Sequence, residues 1–109
     1  MTDRIKKINQ LVKEKIADIL LREINFDKNV LATVQTVNTS KDLRYGKVGI
    51  SVIPFKKSEE ILKILEKQTS YIQRELNRAI EIKFVPQIKF EIDIGEEKAD
   101  RIEKILKKI

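Results

Sequence analysis

Histidine and cysteine are both absent from the 109 residues. Without histidine the chain lacks the usual general base near neutral pH, and a Ser-His-Asp arrangement is impossible. Without cysteine it can form neither a disulfide, nor a thiolate metal site, nor a thiolate nucleophile, and a reducing cytoplasm fits that lack. The sequence contains no GxxxxGK[ST] or GxGxxG motif, so it gives no sign of a phosphate-binding loop. We therefore expect no enzyme activity, cofactor, metal or small-molecule substrate.

Long apolar runs are also missing. No stretch approaches the ~18 consecutive apolar residues that a membrane helix needs. The opening segment, MTDRIKKINQ, carries charges that no apolar stretch follows, so it does not match a secretory signal. The length suits one domain over residues 1–109, and a hydrophobic fraction of 41% is enough for a core. These features predict a cytoplasmic globular domain with no contact to a membrane.

Positive charge is present in excess, with a formal net charge of +6. The excess is concentrated in residues 25–57, which hold six Lys/Arg against two Asp/Glu. Basic residues gathered on one element are typical of a nucleic-acid binder. The alternative is a lysine-rich protein whose charges are merely solvated, and charge alone does not separate the two.

The most regular pattern lies between Thr33 and Ile53. From Tyr45 onward, apolar and polar residues alternate strictly, which predicts a half-buried strand. The run before it is less regular, because Val34 and Val37 are three positions apart, and a bulge or bend is expected there. The six residues between the runs, TSKDLR, supply hydroxyls and a carboxylate that stabilise turns. The segment therefore predicts a hairpin whose exposed tip carries two cations.

Helical periodicity covers residues 3–24 and 58–81, with Ser58 as the expected N-cap of the second helical segment. The apolar stripe of that segment lapses at Gln68-Thr69-Ser70, which predicts either a kink between two helices or one continuous helix. Pro54 should end the second strand, since proline cannot donate to a ladder. Alternation from Ile88 to Ile94 predicts a third strand, and a last helix should follow Gly95.

This order predicts an α+β fold in which a three-stranded mixed sheet has helices on one face. Only the hairpin requires antiparallel pairing, because the third strand follows a long helical crossover. The string Gly46-Lys47-Val48-Gly49 matches the GxxG loop of KH domains. That loop joins two helices, whereas the string here falls inside the alternating run, so we interpret it as strand. The carboxylate pairs Glu59-Glu60 and Glu96-Glu97 stand where helix N-termini favour negative charge.

Cations recur along one sector of the second helical segment, on the side opposite its apolar stripe. The sector contains Lys63, Lys67, Ser70, Arg74 and Arg78. Such a row can follow a phosphate backbone, and each contact would release counterions. It can equally be an ordinary solvated face whose charges pair with the flanking glutamates Glu66 and Glu75. Tyr45 and Tyr71 offer rings that either stack on bases or pack.

Four segments together resemble one family. The run VNTSKDLRYGKVGISV, from Val37 to Val52, resembles the V-x-x-S-x-D-L-x-x-A-x-V-x-V-S segment of ribosome-binding factor A. Residues 72–78 (IQRELNR) and 85–90 (VPQIKF) resemble its I-R-x-x-L-G-x and V-P-E-L-x-F motifs, and residues 101–106 (RIEKIL) resemble its E-R-I-x-x-L-L ending. The first helix is similar only in pattern. The resemblance spans nearly the whole chain.

The resemblance implies a KH-like fold of type II, ordered α-β-β-α-α-β with a short C-terminal helix. It also implies a monomeric RNA-binding assembly factor that binds the immature small (30S) ribosomal subunit and its 16S rRNA. Such a factor assists late maturation and rRNA end processing, matters most in the cold, and performs no catalysis. The sequence departs from the family at Gln68-Thr69-Ser70, which replaces an A-x-G kink, and at Gly46 and Asn77, where Ala and Gly are usual.

The candidate RNA contacts come from the central helical segment and the hairpin. Lys and Arg side chains would bind phosphates, while the Thr and Ser hydroxyls and nearby backbone N–H groups would position them. We expect all of these groups to share one exposed flank. They are Lys41, Arg44, Lys47, Lys67, Gln68, Thr69, Ser70, Arg74 and Arg78.

Two other functions remain possible at this point. One is a protein-interaction module that docks on a ribosomal protein or a GTPase through apolar edges. The other is a general binder of single-stranded RNA with a KH-like fold. Ribonuclease treatment separates the first from an RNA contact, and competition with unrelated RNA tests the second.

Overall fold

A computed structural model describes residues 3–95 of the chain. Two long helices cover one face of a three-stranded sheet, and a short 3-10 turn, Phe55–Lys57, precedes the second helix. The predicted last helix after Gly95 lies outside the described residues. The elements are α1 (Asp3–Glu23), β1 (Leu31–Thr39), β2 (Tyr45–Ile53), α2 (Ser58–Ala79) and β3 (Gln87–Ile92).

The sheet is mixed, as the sequence predicted. Its order is β1-β2-β3, with β1 antiparallel to β2 and β2 parallel to β3. α2 carries the chain back along the sheet, so that Gln87 at the start of β3 pairs with Tyr45 at the start of β2. The C-terminal end of α2 and the hairpin tip therefore lie at the same end of the molecule, called here the hairpin end.

The expected irregularity in β1 is a bulge. Val34 pairs with Ile50, but Thr36 already pairs with Gly49, so Gln35 is the extra residue. The insertion shifts the side-chain phase by one position, which lets Val34 and Val37 both point into the core although they are three residues apart. The predicted alternation of β2 is seen in its burial except at Gly49, which is buried although it belongs to the other face, and the GxxG string lies within this strand.

Gly49 lies under the bulge, where there is no space for a side chain. A Cβ at this position would lie 2.4 Å from the hydroxyl oxygen of Thr36 and 3.2 Å from Cβ of Asp93. At Gly46 the nearest atom to such a Cβ is a side-chain carbon of Pro86 at 3.5 Å, an ordinary van der Waals contact. The two glycines of β2 thus differ in what the fold requires of them.

A single core fills the space between the sheet and the two helices. The apolar stripes predicted for both helices are buried there, including Ile16 of α1 and Leu65, Ile72 and Leu76 of α2, each with no exposed surface. The inward residues of all three strands meet them. Burial of a Leu or Ile side chain stabilises a fold by about 1.5–3 kcal/mol, so this shared core accounts for both helices lying on one face.

Two amide side chains tie the helices to the sheet. Oδ1 of Asn9 in α1 accepts hydrogen bonds from the backbone N–H of Thr39 at 2.9 Å and from its hydroxyl at 2.6 Å. In α2, Oε1 of Gln73 accepts from the Ile88 N–H at 2.9 Å, and its Nε2 donates to the Pro86 carbonyl at 3.1 Å. Each helix is thereby fixed against one outer strand.

The central helical segment is one continuous helix, so the two-helix alternative is wrong for this chain. α2 runs without interruption from Ser58 to Ala79. The Thr69 hydroxyl donates to the Leu65 carbonyl at 2.8 Å, an i to i−4 back-bond that the helix accommodates. The order of elements otherwise agrees with the predicted KH-like fold.

The prediction that Ser58 caps α2 is also wrong. The 3-10 turn leads directly into the helix, and Lys57 is the capping position, without a side-chain hydrogen bond. The Ser58 N–H already donates to the Phe55 carbonyl, and Ser58 has helical φ and ψ angles. Its hydroxyl is buried and has no hydrogen-bond partner among residues 3–95.

Substituting the two glycines of β2 tests the bulge. We expect Gly49→Ala to lower the free energy of unfolding by about 1–3 kcal/mol, because the added methyl group overpacks the site against Thr36 and Asp93. Gly46→Ala is the matched control and should be neutral or stabilise by up to ~1 kcal/mol, since alanine restricts the unfolded chain. Urea denaturation measures both values. Equal stability of the two variants would contradict the close packing at Gly49.

Candidate nucleic-acid interface

The predicted cation row is formed, and it lies on the outer face of α2. Its spacings of three and four residues keep it on one side of the helix, opposite the buried stripe. From Lys63 to Arg78 the row extends about 22 Å at 1.5 Å per residue. All five of its members, Lys63, Lys67, Ser70, Arg74 and Arg78, are exposed.

Ion pairing removes little of this charge. Nη1 of Arg78 lies 3.6 Å from Oε1 of Glu75, so one of the two flanking glutamates does pair with the row. Among residues 3–95, no carboxylate oxygen lies within 4.0 Å of the charged nitrogens of Lys63, Lys67 or Arg74. Three cations of the row are therefore available to an anionic partner.

The middle of α2 offers fewer positioning groups than the sequence suggested. Gln68 and Ser70 are exposed, but the Thr69 hydroxyl donates to the Leu65 carbonyl. Because the helix is continuous, the backbone N–H groups of these residues donate within the helix. The expected positioning of phosphates by backbone N–H groups is therefore wrong. The side chains of Lys67, Gln68, Ser70 and Arg74 remain as exposed donors in this part of the helix.

The hairpin tip is a tightly bonded turn. Oδ1 of Asp42 accepts from the Ser40 hydroxyl at 2.6 Å and from the Arg44 N–H at 3.1 Å, and the Ser40 hydroxyl oxygen accepts from the Tyr45 N–H at 3.1 Å. These bonds, led by that from Ser40, hold the pKa of the Asp42 carboxyl below its ordinary value of 3.8. Lys41 and Arg44 are exposed on this turn, and Nε of Arg44 lies 3.8 Å from Oδ2 of Asp42.

Lys47 lies on a different surface. It belongs to the exposed side of β2, opposite the helices, where it is flanked by Asn38 of β1 and Lys89 of β3 in register. The row on α2 lies on the opposite side of the molecule, because α2 packs on the other face of the sheet and the row faces outward from it. The expectation of one shared flank is therefore wrong. The hairpin tip and the Arg74–Arg78 part of the row lie toward one end, while Lys47 belongs to the open sheet face.

Sequence reasoning missed a cleft at the hairpin end. It has a volume of about 350 Å³, and its lining includes three cations together with Leu43 and Phe84. Those residues come from α1, the hairpin tip and the loop after α2, which are far apart along the chain. The only local signal was the neighbouring pair Lys83-Phe84 just before the V-P motif. Tyr71, by contrast, is half-buried and donates its hydroxyl to the carboxylate of Glu23.

The described range contains neither a metal-binding cluster nor a membrane-spanning helix. Within residues 3–95 no group of three or more carboxylates is placed to hold a metal ion. No helix in that same range is both long enough and apolar enough to cross a membrane.

Comparison with known proteins decides the family. The sequence profile described as ribosome-binding factor A matches residues 4–106. The chain belongs to the ribosome-binding factor A family. It is 36% identical over 103 residues to the ribosome-binding factor A of Coprothermobacter proteolyticus, covering 94% of this chain and 75% of that one. It is 34% identical to that of Dictyoglomus thermophilum, covering 100% of this chain and 92% of the relative.

Solved structures agree on the fold. The crystal structure of ribosome-binding factor A from Thermus thermophilus superimposes with a TM-score of 0.69 at 21% identity, covering 81% of this chain and 94% of that one. A homology model of the same Thermus factor, fitted into the cryo-EM map of a 30S-RBFA complex, gives a TM-score of 0.65 at 23% identity, covering 76% of this chain and 88% of that one. The α+β fold, which the order of elements predicted and the family resemblance implied, is thus confirmed.

The turn at the hairpin tip should respond to acid. A carboxyl whose pKa is lowered by folding stabilises the fold above its unfolded pKa, and that contribution disappears as pH falls through the folded value. We expect the Arg44 and Tyr45 amide resonances to stay constant from pH 7 to pH 5 and to shift only below 3.8, the ordinary Asp value. An NMR pH titration measures this. Asp42→Asn should abolish the shift, and a midpoint above 3.8 would contradict the hydrogen-bonded carboxylate.

Proposed function

We propose that this chain is a monomeric assembly factor that binds the immature small ribosomal subunit through its 16S rRNA. It acts by binding, without catalysis, and assists late maturation and rRNA end processing, chiefly in the cold. The observation that carries the proposal is the exposed cation row of α2, in a member of the ribosome-binding factor A family. The Thermus thermophilus relative was fitted into a map of a 30S complex, which supports the small subunit as the partner.

The row fits a phosphate backbone better than it fits bases. Its charged members are Lys and Arg on a rigid helix, and phosphate contacts from such side chains fix the position of a protein on RNA without reading its sequence. Aromatic side chains that could stack on bases are missing from the row itself. Recognition along α2 should therefore depend on the shape of folded rRNA, which presents phosphates at suitable spacing.

A second candidate function is docking on a ribosomal protein. An apolar cleft lies at the end of the molecule opposite the hairpin tip, and it is lined in part by Leu21 and Leu31, whose side chains are 85% and 59% exposed. Ribonuclease treatment of the complex distinguishes the candidates, because only a protein contact would survive it.

Charge reversal tests the row. We expect Arg74→Glu with Arg78→Glu to abolish co-sedimentation with small subunits, because both residues lose a phosphate contact and gain repulsion. The matched control is Lys28→Glu with Lys56→Glu, which changes net charge equally but at exposed positions near the opposite end of the sheet. Circular dichroism should show intact helices in both. Binding that survives the first double variant would refute the row as a contact.

Salt dependence gives an independent measurement. If all four cations of the row contact phosphates, the slope of log K against log salt should be about −3 on single strands and steeper on duplex RNA. The Arg74/Arg78 double variant should flatten this slope by roughly 1.4. Filter binding between 50 mM and 300 mM salt measures it. A slope near zero would favour the docking alternative.

A further inference from the structure

The cleft at the hairpin end, called here the hairpin-end cleft, is walled by three separate segments. α1 contributes Arg4, Lys7, Ile8 and Leu11, the hairpin tip contributes Leu43, and the loop after α2 contributes Ile82, Lys83 and Phe84. Its volume of about 350 Å³ falls in the range of ~300–1,000 Å³ that is usual for small-ligand sites. It is therefore large enough for one flat group, though not for a helix or strand.

The lining restricts the chemistry of the occupant. The walls are apolar except for three cations, and within the described part of the chain no Asp or Glu takes part in them. Lys and Arg side chains donate hydrogen bonds but cannot accept them. A complementary ligand must therefore combine an apolar surface with negative charge and acceptor atoms. A nucleotide has these properties, since its base has an apolar face and its phosphate is anionic.

Phe84 supplies a stacking surface. It is 69% exposed, so a partner can reach it. Nζ of Lys83 lies 5.6 Å from the centroid of its ring, so a cation stands beside the aromatic face. Aromatic platforms flanked by cations are the usual means by which proteins bind single-stranded nucleic acid. This ring also borders a neighbouring cleft that contains Arg44 and Tyr45.

Leu43 is held against its backbone preference to form one wall. Its φ of 64° lies in the left-handed region, which residues other than Gly, Asn and Asp rarely adopt. The turn fixes it there, because the Leu43 N–H donates to the Ser40 carbonyl at 2.9 Å, and Asp42 accepts from the Ser40 hydroxyl and the Arg44 N–H. Strained residues that a surrounding network holds in place are often found at binding sites.

We propose that the hairpin-end cleft binds one unpaired base of single-stranded RNA, stacked on Phe84, with the adjacent phosphates on Arg4, Lys7 and Lys83. This site rests on the proposed function and adds to it a contact with a splayed nucleotide, in contrast to the phosphate contacts of α2. The cations lack the acceptors needed to read base edges fully, so the site should accept any base with little preference.

The test uses an RNA hexamer that contains one 2-aminopurine. With the wild-type chain, emission should rise as the base leaves its neighbours in the strand and enters the cleft. Phe84→Ala should weaken hexamer binding about 5- to 150-fold, the range for loss of one stacked base, and abolish the emission change. Phe84→Tyr should retain both signals. Phe84→Leu keeps apolar bulk but not the ring, so it should behave like the alanine variant. Phe55→Ala, at an exposed aromatic outside the cleft, is the matched control and should bind normally.

The possible outcomes distinguish failure of the cleft proposal from failure of the proposed function. If the wild-type chain binds subunits but leaves the emission unchanged, or if Phe84→Leu binds as tightly as wild type, the cleft proposal is overturned and the proposed function stands. If the hexamer signal depends on Phe84 while subunit binding is absent, the cleft stands and the proposed function fails. Retention of Phe84-dependent binding to subunits after ribonuclease treatment would identify a protein occupant and overturn the nucleotide proposal.

Discussion

The restriction of the core to one face of the sheet determines where this protein can present charge. β2 is the central strand, and its alternation places Val48, Ile50 and Val52 against the helices. Because burying an unpaired charge is costly, every cation must lie outside that layer. Four surfaces remain: the outer side of the helices, the open face of the sheet and each of the two ends. The separation of Lys47 from the α2 row is a direct consequence.

The amide ties explain why the α2 row can act as one unit. A continuous helix keeps its side chains in a constant phase, and Gln73 fixes that helix to β3 through hydrogen bonds to the backbone of Pro86 and Ile88. The same residue donates to Oδ1 of Asn77, one helical turn further on. A binding surface that is already ordered loses less conformational entropy on association. The row is thus suited to fixed phosphate positions, such as those of folded rRNA.

Strict local patterns in the sequence were enough to predict the layers of the fold. The alternation in β2 determined which side of the sheet is buried, because its period is two, and the spacing of Val34 and Val37 predicted a bulge or a bend, of which the structure has the bulge. Ser58 was misassigned, since nothing local announces that a 3-10 turn will already satisfy its N–H group. The break at Gln68-Thr69-Ser70 was undecidable, because the Thr69 back-bond is compatible with a straight or a bent helix. The hairpin-end cleft could not be foreseen, as α1, the hairpin and the later loop meet only in three dimensions.

The ion pairs at the candidate interface are too weak to block it. Arg44 lies 3.8 Å from the Asp42 carboxylate, and Arg78 lies 3.6 Å from that of Glu75. Both arginine side chains are about three-quarters exposed. Exposed pairs of this kind contribute only about 0–1 kcal/mol, whereas a phosphate offers bidentate geometry and releases counterions. A phosphate can therefore replace either carboxylate as the partner of the guanidinium. Under the proposed function, Glu75 and Asp42 would then repel poorly placed phosphates, so these acidic residues would favour one alignment of the RNA over others.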